Sequence, residues 1–188
     1  MAVEEEIRED GNERERAAEV EARRRVALAQ IRQYPDAVLR LRANEVTQFD
    51  GDLARLADRM AQLMHDARGV GLAATQIGVL QRLFVFQASD DDEAHTVVNP
   101  RITQRSSETD VADEGCLSLQ GVLVPVERSL EVTVEGNDLE GKPLTLELEE
   151  HAARVVQHEL DHLDGVLMLE RTDGSSRRDA VAILRRRL

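Results

Sequence analysis

The spacing of apolar side chains predicts an amphipathic helix in the first third of the chain. Between Asp52 and Gly69 apolar residues recur every three or four positions, which places them on one face of a helix. Asp50 or Asp52 is the expected N-cap, and Gly69 is the expected C-terminal end. The residues of the apolar face are Leu53, Leu56, Ala57, Met60, Leu63, Met64 and Ala67.

Short apolar and β-branched runs follow this helix, after a loop from Gly69 to Gly78. Several of them alternate between apolar and polar residues, and Gly, Asn, Asp or Pro residues separate them. Such runs predict antiparallel strands that a helix covers on one face. The predicted strands are residues 82–86, 96–99, 123–126, 130–135 and 144–149.

Two further helices are predicted in the last third of the chain. Residues 154–165 carry apolar side chains at helical spacing, and Ser175 to Leu188 predict a terminal helix with Ser175 and Ser176 as possible caps. The order helix, strands, helix, helix predicts an α+β fold. We expect antiparallel sheets packed around the helix at 154–165, with a further amphipathic helix and a C-terminal helix.

The charged side chains divide the chain into two parts. Residues 1–25 are rich in Glu and Arg and nearly lack large apolar side chains, so alone they cannot offset the entropy cost of ordering. We therefore expect a flexible or helical arm at 1–25 and a single folded domain at 26–188.

The composition narrows the possible locations and partners. A net charge of −13 argues against broad binding of DNA or RNA. No apolar run approaches the roughly 20 residues needed to span a bilayer, and the acidic N-terminus lacks the apolar core of a signal peptide. Cys116 is the single cysteine, which fits a reducing compartment. A soluble, cytoplasmic protein is expected.

The sequence His158-Glu159-Leu160-Asp161-His162 is an HExxH pattern. Two residues four apart lie one turn apart on a helix, so both imidazoles can bind one metal ion. Glu159 is turned to the side of that ion, where a general base belongs. Two histidines on a solvated helix face are the alternative, but the intervening glutamate favours a metal site.

A third protein ligand is needed for a tetrahedral catalytic site. The metzincin extension HExxHxxGxxH fits through Gly165 but has Met168 in place of the last histidine. His65, His95 and His151 occur singly in polar contexts typical of surface residues. Cys116 lies in the irregular segment 113–118, and a thiolate with two imidazoles suits Zn²⁺ or Fe²⁺. A buried cysteine without a metal is the alternative.

Three stretches together resemble the peptide deformylases. They are GVGLAATQ at 69–76, EGCLS at 114–118 and QHELDHLDG at 157–165, and the resemblance extends from about Val26 to the end of the chain. It implies an α+β fold and removal of the formyl group from the N-terminal methionine of new polypeptides, with release of formate. It also implies one divalent metal ion, Fe²⁺ in the cell and Zn²⁺ or Ni²⁺ in some purified forms.

The resemblance also implies roles for individual residues. Glu159 would carry the proton, while the Gln76 side chain and the backbone N–H of Leu117 would hold the formyl oxygen. The implied metal ligands are Cys116, His158 and His162. Further, we expect an extended peptide to add to a strand edge near Val70 and Gly71, with its methionine in an apolar pocket. The loop after Ser118 departs from the family pattern, because Gln120 replaces a common proline and the loop has no arginine before Arg128, where some family members carry one.

The expected partners are nascent peptides that begin with N-formyl-methionine. Ribosome contact through the arginine-rich C-terminal helix is a second hypothesis. The alternative is a solvated helix end whose arginines favour the negative end of the helix dipole. For the activity, the alternatives are an HExxH endopeptidase or a catalytically silent homologue that binds metal. The arginines concerned are Arg177, Arg178, Arg185, Arg186 and Arg187.

Overall fold

The computed structural model describes residues 2–89 and 93–186, with side chains from residue 14 onward. It contains four α-helices and two antiparallel sheets, so the predicted α+β class with antiparallel sheets is confirmed. The helices are α1 (Ala2–Leu28), α2 (Gly51–Asp66), α3 (Glu150–Leu163) and α4 (Gly174–Arg185). The strands are β1 (Gly71–Ala73), β2 (Leu83–Phe86), β3 (His95–Arg105), β4 (Thr109–Glu114), β5 (Val124–Ser129), β6 (Glu131–Asn137) and β7 (Pro143–Glu149).

The larger sheet has five strands in the order β1-β2-β3-β6-β7, and the smaller sheet pairs β4 with β5. All named strand pairs are antiparallel. Strand β1 lies at one edge of the larger sheet, where its register joins Gly71 to Phe86 of β2. Gly71 at this edge lines the cavity of the candidate site.

Helices α2 and α3 cover opposite faces of the larger sheet. Leu83 and Val85 of β2 lie in a cluster with the apolar face of α2, whereas Phe84 and Phe86 lie in a cluster with α3. Because successive strand residues point to opposite faces, a strand covered on both sides needs apolar residues throughout. The continuous apolar sequence of β2 follows from this burial.

Helix α2 begins as predicted but ends earlier. Asp50 is its N-cap, and the carboxylate accepts hydrogen bonds from Asp52 N at 2.9 Å and Leu53 N at 3.2 Å. The helix ends at Asp66, and Arg68 adopts a left-handed conformation with φ of 58°. The predicted end at Gly69 is therefore wrong, since Arg68 makes the reversal that a glycine usually makes.

Two strands were not predicted, and β3 is much longer than predicted. Strand β1 has three residues inside a glycine-rich loop, and β4 is polar, so neither has a clear apolar alternation. Strand β3 continues to Arg105 past Asn99, whose φ is 51°, and past Pro100. The pairing of β3 with β6 shifts register there, and such bulges tolerate proline within a strand.

Helix α4 has a different N-cap from the two serines predicted. The cap is Asp173, whose carboxylate accepts hydrogen bonds from the backbone N–H groups of Ser175 and Ser176. Aspartate caps through a carboxylate that accepts both donors, which leaves the serines in the first turn. Ala180 and Leu184 are buried, while residues 187 and 188 of the predicted helix lie outside the described residues.

Helix α1 extends through the predicted boundary at residue 25 without a break. Ala27 is buried against α2, and Leu28 packs on the same cluster. Residue 1 of the predicted arm lies outside the described residues, and the division at 25 and 26 stays a prediction. No helix in the described part of the chain is long and apolar enough to cross a membrane.

Candidate active site

Cys116, His158 and His162 meet at one point although they come from distant parts of the sequence. The two histidines lie one turn apart on α3, and Cys116 lies just after β4. His162 Nε2 is 3.2 Å from Cys116 Sγ and 3.2 Å from His158 Nε2. All three ligand atoms lie within 4.8 Å of one another, and no other such group occurs in the part of the chain that the structure describes.

This arrangement fits a tetrahedral metal ion. Bonds of about 2.0–2.3 Å from nitrogen and sulfur to one ion place its ligand atoms roughly 3.3–3.8 Å apart. The distances of 3.2 Å lie close to that range. One thiolate and two imidazoles are also a donor set that Fe²⁺ and Zn²⁺ accept. The three residues can therefore hold a divalent ion.

Glu114 fixes the orientation of His158. Its carboxylate lies 2.9 Å from His158 Nδ1, so Nε2 of the same ring faces the ligand cluster. A carboxylate on the far nitrogen is the usual support of a metal-binding histidine. Burial favours the neutral acid, but hydrogen bonds from His158 and Arg128 outweigh it and lower the pKa of Glu114 to about 2. The same carboxylate raises the pKa of His158, together with Cys116 and against burial.

Arg128 connects the metal-binding segments through buried ion pairs. Its guanidinium donates to Glu114 at 2.9 and 3.0 Å and to Asp161 of α3 at 2.6 Å. Arg171 donates to the same aspartate at 3.0 Å, which neutralises the charge further. This network was not predicted from the sequence. Strand alternation was an available signal, because Val124, Val126 and Arg128 are the buried positions of β5.

Glu159 lies beside the ligand cluster with an unused oxygen. The residue is buried, and its Oε2 has no hydrogen-bond partner among the described residues. Burial raises the pKa of Glu159 to about 7, and a divalent cation nearby would favour the carboxylate and lower it. A Cβ at Gly71 would lie 2.3 Å from Glu159 Oε1, so the backbone of β1 touches this carboxylate.

Gln76 approaches the same point from a 3₁₀ turn after β1, Ala74–Ile77. Its Oε1 accepts a hydrogen bond from Ala73 N at 2.8 Å, so its Nε2 faces Ser118 Oγ at 3.2 Å and Cys116 Sγ at 3.7 Å. The amide is thus held with its donor toward the ligand cluster. Leu117 lies in the turn after Cys116, where its carbonyl accepts from Gln33 Nε2 at 3.0 Å.

The ligand cluster opens into a cavity of about 700 Å³. Val70 and Gly71, predicted to bind substrate, line it together with Leu117 and Leu123. Val70 is 45% exposed, while its carbonyl accepts from Gln87 N of the neighbouring chain segment at 2.9 Å. The cavity therefore runs along the outer edge of the larger sheet.

The remaining candidate ligands lie elsewhere. His65, His95 and His151 are exposed, as expected for surface residues, although His151 lies at the cavity wall. Met168, which occupies the third-ligand position of the metzincin pattern, is buried in the cluster that includes Leu167 and Leu184. The candidate metal ligands are thus Cys116 and the two histidines of the HExxH pattern, His158 and His162.

Comparison with known proteins identifies the family. The sequence model described as polypeptide deformylase matches residues 28–178. The chain belongs to the peptide deformylase family. The peptide deformylase of Thermotoga neapolitana is 44% identical over 158 residues, covering 84% of this chain and 93% of that protein. Peptide deformylase 1 of Corynebacterium efficiens is 45% identical over 158 residues, covering 82% and 93%.

Solved structures of deformylases share the fold. The crystal structure from Thermotoga maritima superimposes with a TM-score of 0.74 at 45% identity, covering 76% of this chain and 96% of that one. The Legionella pneumophila deformylase gives a TM-score of 0.79 at 39% identity, covering 83% and 92%. Removal of the N-terminal formyl group is the activity of this family, so the chain is a deformylating hydrolase.

Proposed function

We propose that Cys116, His158 and His162 bind the metal ion with which this deformylase removes the formyl group from N-formyl-methionine peptides and releases formate. In this proposal α3 is the central metal-binding helix of the fold. A divalent ion bound there acts as a Lewis acid that acidifies water and withdraws charge from a carbonyl oxygen. Fe²⁺ is the proposed ion in the cell, and Zn²⁺ or Ni²⁺ can replace it in purified protein.

Glu159 moves the proton in the reaction. Its Oε2 accepts a proton from the water that attacks the formyl carbon, and later returns it to the departing amine. The observation that supports this role is the buried, unpartnered Oε2 beside the ligand cluster. A raised pKa of about 7 in the metal-free site would suit proton exchange near neutral pH, and a bound cation would keep the group ionised at the start.

Gln76 and the backbone N–H of Leu117 hold the formyl oxygen. The Gln76 amide is fixed by its hydrogen bond to Ala73 N, so its Nε2 needs no reorientation to donate to the substrate. Preoriented donors stabilise the negative charge that develops on the oxygen during attack. Leu117 directly follows Cys116, at the start of the turn at 117–118, and its backbone N–H is the proposed second donor.

The peptide adds to the sheet at β1. Val70 and Gly71 contribute the contact edge, and the methionine side chain occupies the apolar part of the cavity beside α3. Val155 of α3 and Leu123 are apolar side chains of that wall. An extended backbone at this edge places the formyl group toward the ligand cluster and the rest of the peptide toward solvent.

The proposal rests on the close approach of the three ligand atoms, and the metal content of variant proteins tests it. Cys116→Ser, His158→Ala and His162→Ala should each contain far less than one equivalent of metal and release little formate. His65→Ala is the matched control, because His65 is exposed and bonds to Gln87 away from the cluster. Full metal content in any of the three ligand variants would contradict the assignment.

Two alternatives have different products. An HExxH endopeptidase would cleave casein internally, whereas the deformylase leaves casein intact. A silent homologue would bind metal with no release of formate. Both alternatives are therefore separated by one set of product assays.

The Arg-rich end of α4 provides the basis for a proposal of ribosome contact. Arg177 lies 3.7 Å from Glu170, so it is partly neutralised, while Arg178 is exposed. Co-sedimentation of Arg178→Gln/Arg185→Gln protein with ribosomes tests the proposal, and unchanged binding favours a solvated helix end instead.

We also propose a cytoplasmic location, because a Cys116 thiolate ligand requires reducing conditions.

A further inference from the structure

Helix α1 reaches the active-site cavity from outside the region that defines the family. The family match begins at Leu28, and Arg24, four residues before it, lines the cavity together with Leu28. The two residues are four apart, so they lie on one face of the helix. Ala27 anchors this end of α1 against α2, which holds the face in position. Arg24 is therefore a cavity residue that lies outside the part of the chain matched by the family model.

The guanidinium of Arg24 has a buried donor without a partner in the described part of the chain. Arg24 Nη1 lies 3.8 Å from Glu21 Oε2, and both side chains are substantially exposed, at 40% and 55%. Such an exposed pair is weak. Arg24 Nε is buried and has no hydrogen-bond partner among the described residues. A buried N–H without a partner is costly, so a ligand that accepts from it gains affinity.

A second arginine, Arg68, also lines the cavity. Arg68 lines the cavity directly before the β1 edge, and it makes no ion pair within the described residues. Its left-handed backbone, with φ of 58°, turns the chain from α2 into β1. The acidic lining residue Asp113 belongs to β4, on the other sheet. Arg24 and Arg68 thus place two positive charges on the cavity wall in an otherwise acidic protein, while the carboxylate of Glu159 lies deeper, beside the ligand cluster.

We propose that Arg24, together with Arg68, binds an acidic side chain of the substrate downstream of the formyl-methionine. This inference rests on the proposed placement of the peptide along β1. An extended chain advances about 3.3 Å per residue, so side chains of the next few residues pass this wall. A carboxylate is the group that best satisfies a guanidinium, because the planar donors match its two oxygens. The enzyme then favours nascent chains with Asp or Glu soon after the methionine.

The test compares peptides that differ in one charge. The substrates are formyl-Met-Ala-Xaa-amide and formyl-Met-Xaa-Ala-amide with Asp, Asn or Lys at Xaa, amidated so that the side chain is the sole carboxylate. Wild type should favour Asp over Asn in kcat/KM at one of these positions. Arg24→Gln should reduce that ratio about two- to fivefold, mainly through KM, as expected for a partly exposed ion pair. High salt should reduce it similarly in wild type.

Three variants separate binding from structure. Arg24→Lys should keep most of the preference, and Arg24→Glu should shift it toward Lys. Arg25→Gln is the matched control, since Arg25 is an exposed neighbour on the same helix that does not line the cavity. An equal Asp-to-Asn ratio in wild type and Arg24→Gln would overturn the inference, as would an equal effect of Arg25→Gln. Turnover of the Asn peptide measures deformylation itself, so failure of the proposed function would be recognised separately.

Discussion

Replacing Gly71 by alanine tests how closely the substrate edge and the general base are joined. The added Cβ would lie 2.3 Å from Glu159 Oε1, 2.8 Å from its Cδ and 2.9 Å from its Cγ. Ordinary contact begins near 3.4 Å, so the carboxylate must retreat by about 1 Å. The φ of Gly71 lies outside the left-handed range, so the methyl group and not backbone strain is responsible.

A displacement of about 1 Å in a catalytic group can cost roughly 10²-fold in rate. We expect Gly71→Ala to lower kcat by about two orders of magnitude, equivalent to about 2.7 kcal/mol of barrier. Metal content should be unchanged, because the three atoms nearest the new methyl group all belong to Glu159, which is not one of the proposed ligands. The assay is formate release from a formyl-Met peptide over a range of concentrations, with metal analysis of the same sample.

Gly51→Ala is the control for this experiment. At Gly51 a Cβ would meet only the tip of Arg55 at 3.2 Å, at the exposed start of α2. Its activity should match wild type. A wild-type kcat for Gly71→Ala would refute the close contact between β1 and Glu159, and a purely higher KM would indicate that Gly71 serves only the peptide edge.

Three further substitutions probe the oxyanion donor, the Glu114 network and the α2 cap. Gln76→Ala should lower kcat by about 10² to 10³ with metal retained, because one fixed donor to the developing charge is lost; steady-state kinetics with metal analysis checks this. Glu114 has a pKa of about 2 in the fold against 4.5 ordinarily, so it stabilises the protein above about pH 4.5 and loses this effect as pH falls toward 2. This difference in pKa corresponds to about 3 kcal/mol of unfolding free energy. In urea unfolding of the metal-free protein, the unfolding free energies of wild type and Glu114→Gln should converge as pH falls from about 5 to 3. Convergence at higher pH instead would contradict the sign. Asp50→Ala should cost about 1 kcal/mol of unfolding free energy, without loss of activity per folded molecule, since it removes the α2 cap alone.

The main elements of the fold were predictable because burial imposes regular patterns on them. Helix α2 has its apolar side chains on one face, and β5, β6 and β7 alternate along their length. Strands β1 and β4 escaped prediction for physical reasons. Strand β1 is stabilised by pairing with β2 and by contact with Glu159, and β4 by pairing with β5, and none of these partners is local in sequence.

The part of the candidate site that lies within short sequence motifs was predictable. The HExxH spacing places His158, Glu159 and His162 on one helix. Cys116 was assigned as the third ligand only through the resemblance to the peptide deformylases. The supporting residues were not predictable in the same way. Glu114 and Arg128 form a pair across 14 residues of sequence, and Arg24 reaches the cavity only because α1 packs on α2. Such contacts depend on tertiary packing and leave no periodic signal.

In the proposed function, Glu159 acts beside a metal ion held by Cys116, His158 and His162. The most direct measurement is formate release from an N-formyl-Met peptide by protein prepared anaerobically with Fe²⁺, wild type beside Glu159→Gln. We predict one equivalent of metal in both proteins, rapid release by wild type and a loss of at least about 10²-fold in the variant. Equal release by the two metal-loaded proteins would contradict the role of Glu159. No release by metal-loaded wild type would contradict the proposed deformylase function.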